Sequence, residues 1–187
     1  MSNQNQLAGL TIRDAVPADI PLCHALDHTY QTDFVWQINI QGDSRQRNIS
    51  LRQERLPRSM DVTYTPYTDN LSVALSGNEA FLIAANRDNS QLYGYLVMTQ
   101  DKVKPTATLR DIVVSKAYRR QGVATRLLSI ARRWALSHNI ERIFAQTQTK
   151  NFPAIQLLQK TGYAFCGYND QYFENQDIAI FFAQALH

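Results

Sequence analysis

The sequence is poor in cysteine: Cys23 and Cys166 are the only two among 187 residues. They fit no metal-binding spacing, and they predict free thiols in a reducing cytoplasm. Long apolar runs are also missing. Nothing approaches the roughly 20 consecutive apolar residues that cross a bilayer, and the polar opening MSNQNQ has no signal-peptide hydrophobic region. The expected location is cytoplasmic, with no membrane partner. Charge of one sign is scarce too: 19 Lys+Arg against 16 Asp+Glu leave a formal +3, too little to argue for nucleic acid. Metal ligands do not cluster. His24 and His28 lie four apart without a third ligand at sensible spacing, so an exposed pair and no bound metal are expected. What is abundant is core-forming material. Hydrophobic residues make up 44% and aromatics 10%, which excludes a disordered chain and suits one ordinary domain over 1–187.

The most informative stretch runs from Leu109 to Thr125, LRDIVVSKAYRRQGVAT. Leu109, Ile112, Val113 and Val114 read as a buried strand. Ser115 to Arg120 breaks the pattern. Val123, Leu127, Ile130, Ala131 and Trp134 then form one stripe of an amphipathic helix. Gly122 allows a tight turn at the helix start, and the uncapped N–H groups from Gln121 through Val123 and Ala124 to Thr125 are left free to face an anion. Arg119 and Arg120 sit beside that positive helix end, a placement that an anion would explain. Arg132 and Arg133 lie toward the C-terminal end, where the dipole favours cations. A plain surface turn remains the competing reading of Arg119 to Ala124; the strand before and the helix after favour a phosphate site.

With those residues in view, the chain resembles the GNAT superfamily of N-acetyltransferases, whose acetyl-CoA signature Arg/Gln-x-x-Gly-x-Gly/Ala stands here as Arg119, Gly122 and Ala124. A second family segment, N-x-x-A-x-x-[LF]-[YL]-x-K-x-G-[FY], is matched by Asn151, Ala154, Leu157, Leu158, Lys160, Gly162 and Tyr163. The resemblance implies that Asn151 contacts the pantetheine arm of acetyl-CoA, although Asn151 is also a good helix N-cap. It departs from many members at Leu158, where they carry a tyrosine able to protonate the departing thiolate. A thiol of pKa about 8.5 leaves tolerably without a strong acid. Tyr168 and Tyr172, in a loop before the last strand, are candidate replacements, packing being their bland alternative. QTQTKN at 146–151 and YNDQYFENQDIAIFF at 168–182 look like the streptothricin acetyltransferase branch, with weaker echoes in DHTYQTDFVWQ at 27–37 and in Arg110 to Val114.

The rest of the chain supplies a mixed α/β frame. A short strand is expected at Leu10 to Arg13 after a flexible tail at 1–9, then a helix to about Asp27 with Ile20, Leu22, Cys23 and Leu26 facing the core. The period switches to two from Phe34, giving a β-hairpin that turns at Gln41 to Ser44 and ends near Leu56-Pro57; at 34–56 it would border the acceptor site. Residues 60–76 read as a connection containing Pro66 and a short helix around Asp69 to Leu75. Strands at Phe81 to Ala85, Leu92 to Thr99, Thr106 to Val114 and Arg142 to Thr147, with a helix from Asn151 to Lys160, complete a GNAT-like central mixed, mostly antiparallel sheet flanked by helices, the cofactor core lying in 106–163.

The chemistry expected is acetyl transfer from acetyl-CoA to a primary amine of a small cationic molecule by direct attack, a streptothricin-like antibiotic being the first candidate. The backbone of Ile112, Val113 and Val114 would hold the acetyl and pantetheine groups where two parallel strands splay apart. Asp111 is the carboxylate nearest that opening and the candidate base, pairing with Arg110 or another cation being its structural alternative. Tyr172 is the candidate acid, and Asp33, Trp36 and Glu174, with Asp170 behind them, are candidate acceptor contacts. Alternatives are a peptide α-amine acetyltransferase and an acyl-CoA-binding protein without catalysis. A monomer or homodimer is expected.

Overall fold

The computed structural model describes residues 9–64, 71–75 and 79–186. The expected tail before Gly9, Pro66 and the start of the helix proposed at Asp69 lie outside the described residues. β1 (Thr11–Asp14), β4 (Glu79–Ala85), β5 (Leu92–Gln100), β6 (Thr106–Val114), β7 (Arg142–Gln148), β8 (Ala164–Asn169) and β9 (Ala179–Ala185) form one sheet in the order β1-β4-β5-β6-β7-β9-β8. Every neighbouring pair is antiparallel except β6 and β7. Among the described residues four α-helices accompany it: α1 (Ile20–His24), α2 (Leu71–Leu75), α3 (Val123–Ser137) and α4 (Phe152–Lys160). No helix among the described residues is long and apolar enough to cross a membrane.

The sheet is buried on both faces. On one, Val123, Leu127, Leu128, Ala131 and Ala135 of α3 and Ile155 and Leu158 of α4 pack on Leu82, Leu96, Leu109, Ile143 and Phe182. Burying each such Leu or Val contributes about 1.5–3 kcal/mol, which places α3 firmly against β4, β5 and β6. On the other face Cys23 of α1 and Leu71 and Ala74 of α2 pack on Phe81, Ile83, Tyr95, Val97 and Val113. Leu22 does not join them: it is 45% exposed. The helix is five residues long and ends at His24, short of the predicted Asp27, so a stripe of helical period has no second turn to act on.

β2 (Thr29–Gly42) and β3 (Arg47–Thr63) make a separate antiparallel hairpin, longer at both ends than the sequence predicts. Thr32 pairs with Met60 and Phe34 with Arg55, so Asp33 stands opposite the whole of Leu56 to Ser59. That bulge is why Pro57 does not end the strand: proline supplies no N–H, and at a bulge none is needed for the ladder. The hairpin is fixed to the main body by aromatic packing. Phe34 lies 5.2 Å from Phe152, and Trp36 lies 6.3 Å from Phe165 and 6.0 Å from Phe182, measured between ring centroids.

Candidate active site

The parallel pair β6 and β7 is in register only from Thr106–Arg142 to Leu109–Ala145. β6 then continues to Val114 and β7 to Gln148 with no pairing between them among the described residues. The backbone polar groups that β6 turns toward β7 in this stretch therefore line a V-shaped opening. The opening begins at a bulge. Met98 faces Leu109 and Val97 faces Asp111, so Arg110 is the extra residue. The bulge also changes which side of the sheet each residue faces. Ala107 and Leu109 belong to the α3 side, and beyond the bulge Ile112 and Val114 take that side while Val113 joins the opposite cluster. Asp111, of the same parity as Val113, is carried to the α1 side.

There Asp111 meets a polar group that the sequence reading missed. It is 1% exposed, and the Tyr64 hydroxyl donates to its Oδ1 at 2.5 Å. Tyr95 is buried on the neighbouring strand with its hydroxyl 3.4 Å from His28 Nε2. Burial, and after it the negative charge of Asp111, push the Tyr95 phenol far above its usual value. Burial also holds the His28 imidazole below its usual value, against the opposing pull of Asp111. His28 is thus half-buried in this cluster, contrary to the expected exposed pair; His24 alone is exposed. Tyr64 carried no signal in its Thr- and Tyr-rich surroundings, whereas His28 lies inside the DHTYQTDFVWQ stretch singled out above.

Arg119 lies in the turn that follows β6. Its Nε donates to the Val114 carbonyl at 2.9 Å, Nη1 to Thr29 at 2.6 Å and Nη2 to Asp27 at 2.8 Å. Arg120 and Gly122 both have left-handed backbone, φ 62° and 89°. A Cβ built on Gly122 would meet nothing within 4 Å, so conformation, and not crowding, calls for glycine there. The first bond of α3 runs from Arg126 N–H to the Gly122 carbonyl. The amides of Val123, Ala124 and Thr125 precede it and have no acceptor within the helix. Arg120 and Thr125 are exposed beside them, and the Gln121 amide nitrogen donates to the Ala117 carbonyl.

The far side of the opening is organised by β7 and the chain after it. Trp36 N–H donates to the Thr149 carbonyl at 2.9 Å. With Arg119 fixing Thr29 to the end of β6, the first half of β2, from Thr29 to Trp36, is held between the ends of β6 and β7. Gln148 Nε2, Asn175 Nδ2 and Lys150 Nζ converge on Asp177 Oδ2 at 2.9, 2.7 and 2.6 Å, so the QTQTKN segment holds the loop before β9. Tyr30 approaches Gln148 at 3.5 Å. Asn151 caps α4, accepting from Ala154 N–H at 3.2 Å, and Leu158 is buried in the core. Tyr168 is in β8, where the sequence predicts a loop. Tyr172 follows that strand, its ring edge-on to Phe173 and Phe181. Asp33 accepts from the Ser59 hydroxyl, and beside it Leu56 to Met60 enclose a concavity of about 420 Å³. The Trp36 ring packs on phenylalanines, as described above, and Glu174 and Asp170 are exposed. Among the expected site residues, the structure therefore groups Asp111 with Ile112 to Val114 at the opening, and Arg119 to Thr125 at its end. Asp33, Trp36, Tyr172 and Glu174 belong to the hairpin and to the loop before β9.

A sheet split at one parallel pair, with a glycine turn and helix N-terminus after the split strand, is the arrangement that the resemblance to the GNAT acetyltransferases implies. The acetyltransferase (GNAT) family profile matches residues 44–163, and the chain belongs to that family. Among similar proteins, the streptothricin acetyltransferase of Escherichia coli is 43% identical over 61 residues, 33% of this chain and 35% of that relative. The chain thus matches about a third of that relative's length. The streptothricin acetyltransferase of Streptomyces lavendulae is 23% identical over 168 residues, 87% of this chain and 85% of the relative. Nourseothricin acetyltransferase shares the fold with TM-score 0.82 at 20% identity, covering 96% of this chain and 99% of its own. A candidate streptothricin acetyltransferase from Bacillus anthracis, solved in complex with acetyl coenzyme A, gives TM-score 0.73 at 24% identity, covering 96% and 98%.

Proposed function

We propose that the protein transfers the acetyl group of acetyl-CoA to a primary amine of a small cationic molecule, a streptothricin-like antibiotic being the first candidate, by direct attack. The observation that carries this reading is the juxtaposition of buried Asp111 with the opening between β6 and β7. The substrate class is supported by the likeness to streptothricin acetyltransferases.

In this reading the thioester lies in the V, its carbonyl against the backbone of Ile112 to Val114, where fixed N–H dipoles stabilise a developing oxyanion. The pyrophosphate meets the amides of Gln121 to Thr125 with Arg120 beside them, and Asn151 faces the pantetheine arm while still capping α4. The amine arrives as an ammonium and needs both a negative neighbour and a proton acceptor. Asp111 serves as both, directly or through one water, its second role being to orient the nitrogen. The ammonium first gives one proton to water; the C–N bond then forms, the C–S bond breaks, the second proton of the nitrogen passes to Asp111, and the CoA thiolate takes a proton from Tyr172 or water. Asp33, Trp36 and Glu174 line the route by which the rest of the cation is held, the concavity at Leu56 to Met60 adjoining it.

The test is CoA release by the purified protein with acetyl-CoA and a panel of streptothricin, aminoglycosides, polyamines, lysine and peptides with free N-termini. Turnover centred on streptothricin is expected. Turnover confined to peptides moves the acceptor to a polypeptide α-amine, and acetyl-CoA binding with no turnover on any amine refutes catalysis. Asp111→Asn should lower kcat/KM for the amine by about 10²–10⁴-fold, the usual worth of a general base, and leave acetyl-CoA affinity intact. An unimpaired Asp111→Asn enzyme removes Asp111 from the mechanism.

A further inference from the structure

Arg119 is the first residue of the phosphate-turn signature, yet its guanidinium is directed at carbonyl oxygens. Two of its three acceptors, on Asp27 and Thr29, flank His28, and the third is the end of β6. The carbonyl of His28 itself accepts the Tyr64 N–H at 2.9 Å, and the Tyr64 hydroxyl goes on to Asp111. The His28 ring faces the Tyr95 hydroxyl. Asp27 stiffens the same peptide from its other side, its Oδ1 accepting both the N–H and the hydroxyl of Thr29 at 2.8 and 2.6 Å. A planar fork with fixed donor directions can hold three carbonyls in one geometry, which a lysine ammonium on a flexible stem cannot do equally well. Arg119 is half-buried, as expected of a strut and not of a side chain waiting in solvent for an anion.

We propose that Arg119 is a positioning residue that joins the phosphate-binding turn to the acceptor side, holding His28 and Tyr64 against Tyr95 and Asp111, and is not itself a ligand of the cofactor's phosphates. Acetyl-CoA on the amides of residues 121–125 restrains the turn. The restraint passes through the fork to residues 27–29, where β2 begins its span across the opening. Cofactor binding therefore strengthens acceptor binding, and acceptor binding strengthens cofactor binding equally, an energetic coupling between two adjoining sites. The inference rests on the proposed phosphate site and on Asp111 as base.

The experiment uses the full chain with Arg119→Gln and Arg119→Lys. It reads acetyl-CoA affinity by calorimetry, kcat and KM for the amine, and amide hydrogen exchange at Thr29 to Thr32 and Tyr64. Arg119→Gln should keep acetyl-CoA affinity within about threefold while kcat/KM for the amine falls about tenfold or more, the size of ordinary site-to-site coupling. Exchange at those amides should quicken, and lysine should restore part of the loss. A tenfold or greater weakening of acetyl-CoA binding with amine KM unchanged would make Arg119 a phosphate ligand and overturn the proposal. So would a glutamine variant with unaltered kinetics. If the variants do not fold, the unaltered protein still decides: acetyl-CoA should slow exchange at Thr29 to Thr32 and Tyr64, and no slowing refutes the coupling. Loss of the base reading through an active Asp111→Asn enzyme would leave these affinity and exchange results untouched, so the two failures are distinguishable.

Discussion

Replacing Gly122 separates the strain of the turn from its charge preference. At φ 89° any L side chain is strained, at about 1–2 kcal/mol for a non-glycine residue in the left-handed region. Space contributes nothing, because a Cβ there has no neighbour within 4 Å. Gly122→Ala is therefore a strain-only variant, expected to lose about 1–2 kcal/mol of stability and to weaken acetyl-CoA binding only modestly. Gly122→Glu carries the same strain plus a carboxylate where the pyrophosphate is proposed to sit. For like charges about 5 Å apart at an effective dielectric of about 20, Coulomb's law gives roughly 3 kcal/mol per charge pair. That is on the order of 100-fold in affinity for each phosphate charge. The assay is calorimetric titration of both variants with acetyl-CoA and with acetyl-pantetheine, which lacks the pyrophosphate. The alanine and glutamate variants should unfold alike and bind acetyl-pantetheine alike, and should part company only on acetyl-CoA. Equal acetyl-CoA affinity in the two would place the pyrophosphate elsewhere and sink the assignment of the turn.

The other tests concern the frame. Arg13 grips Asp19 through two bonds at 2.7 and 2.8 Å, and Val16 N–H adds a third at 2.8 Å. The Arg13 hydrogen bond is the largest of the effects that hold the Asp19 carboxyl below its usual range. A depressed carboxyl stabilises the fold above its unfolded-state pKa of about 4 and loses that contribution as pH falls toward the folded value. Asp19→Asn should therefore cost about 1–2 kcal/mol near pH 7 in denaturant unfolding, because the Arg13 left behind is partly solvated, with the gap to the unaltered protein narrowing below about pH 4; a gap independent of pH would refute the pairing. Trp36→Ala should cost about 2 kcal/mol, less than a fully buried tryptophan because the ring is half-exposed, and should raise KM for the amine without changing acetyl-CoA affinity. Trp36→Phe should recover most of the loss. An alanine variant of unchanged stability would show that the hairpin is held by something else.

The strands β4 to β7 and helices α3 and α4 were legible because local signals and burial agree in them. β6 is aliphatic and buried, Val123 to Ala135 fall on one stripe, and Asn151 with Gly162 punctuates α4. β8 was not legible. AFCGYN is exposed along its first half, as an edge strand can be, so it has no alternation to read, and Tyr168 looked like a loop residue. From sequence the hairpin ends near Pro57 because proline reads as a stop, and the pairing of Thr29 to Thr32 with Met60 to Thr63 beyond it shows the strand resuming. Arg119 was read correctly as part of a turn, but side-chain direction is not in the motif. Nothing in R-R-Q-G-V-A tells a fork aimed at phosphates from one aimed at the carbonyls of residues 27 and 29, about ninety positions upstream.

The place where the sequence pattern fails is the place where the chemistry is proposed. Strict alternation along β6 puts Leu109, Asp111 and Val113 on one face, which would set a carboxylate between two aliphatic side chains in the core beneath α3. An unpaired charge there costs several kcal/mol even after relaxation, and no strand of a stable sheet keeps it without a reason. The bulge at Arg110 removes the conflict. It leaves Leu109 under α3, turns Asp111 to the opposite side toward Tyr64, Tyr95 and His28, and coincides with the point where β6 parts from β7. One inserted residue therefore gives a buried carboxylate a hydrogen-bonding partner, coincides with the opening where the thioester is proposed to lie, and sets the proposed base beside it. A carboxylate that breaks the apolar period of an otherwise well-formed strand is, in this chain, the sequence's most direct mark of the proposed site.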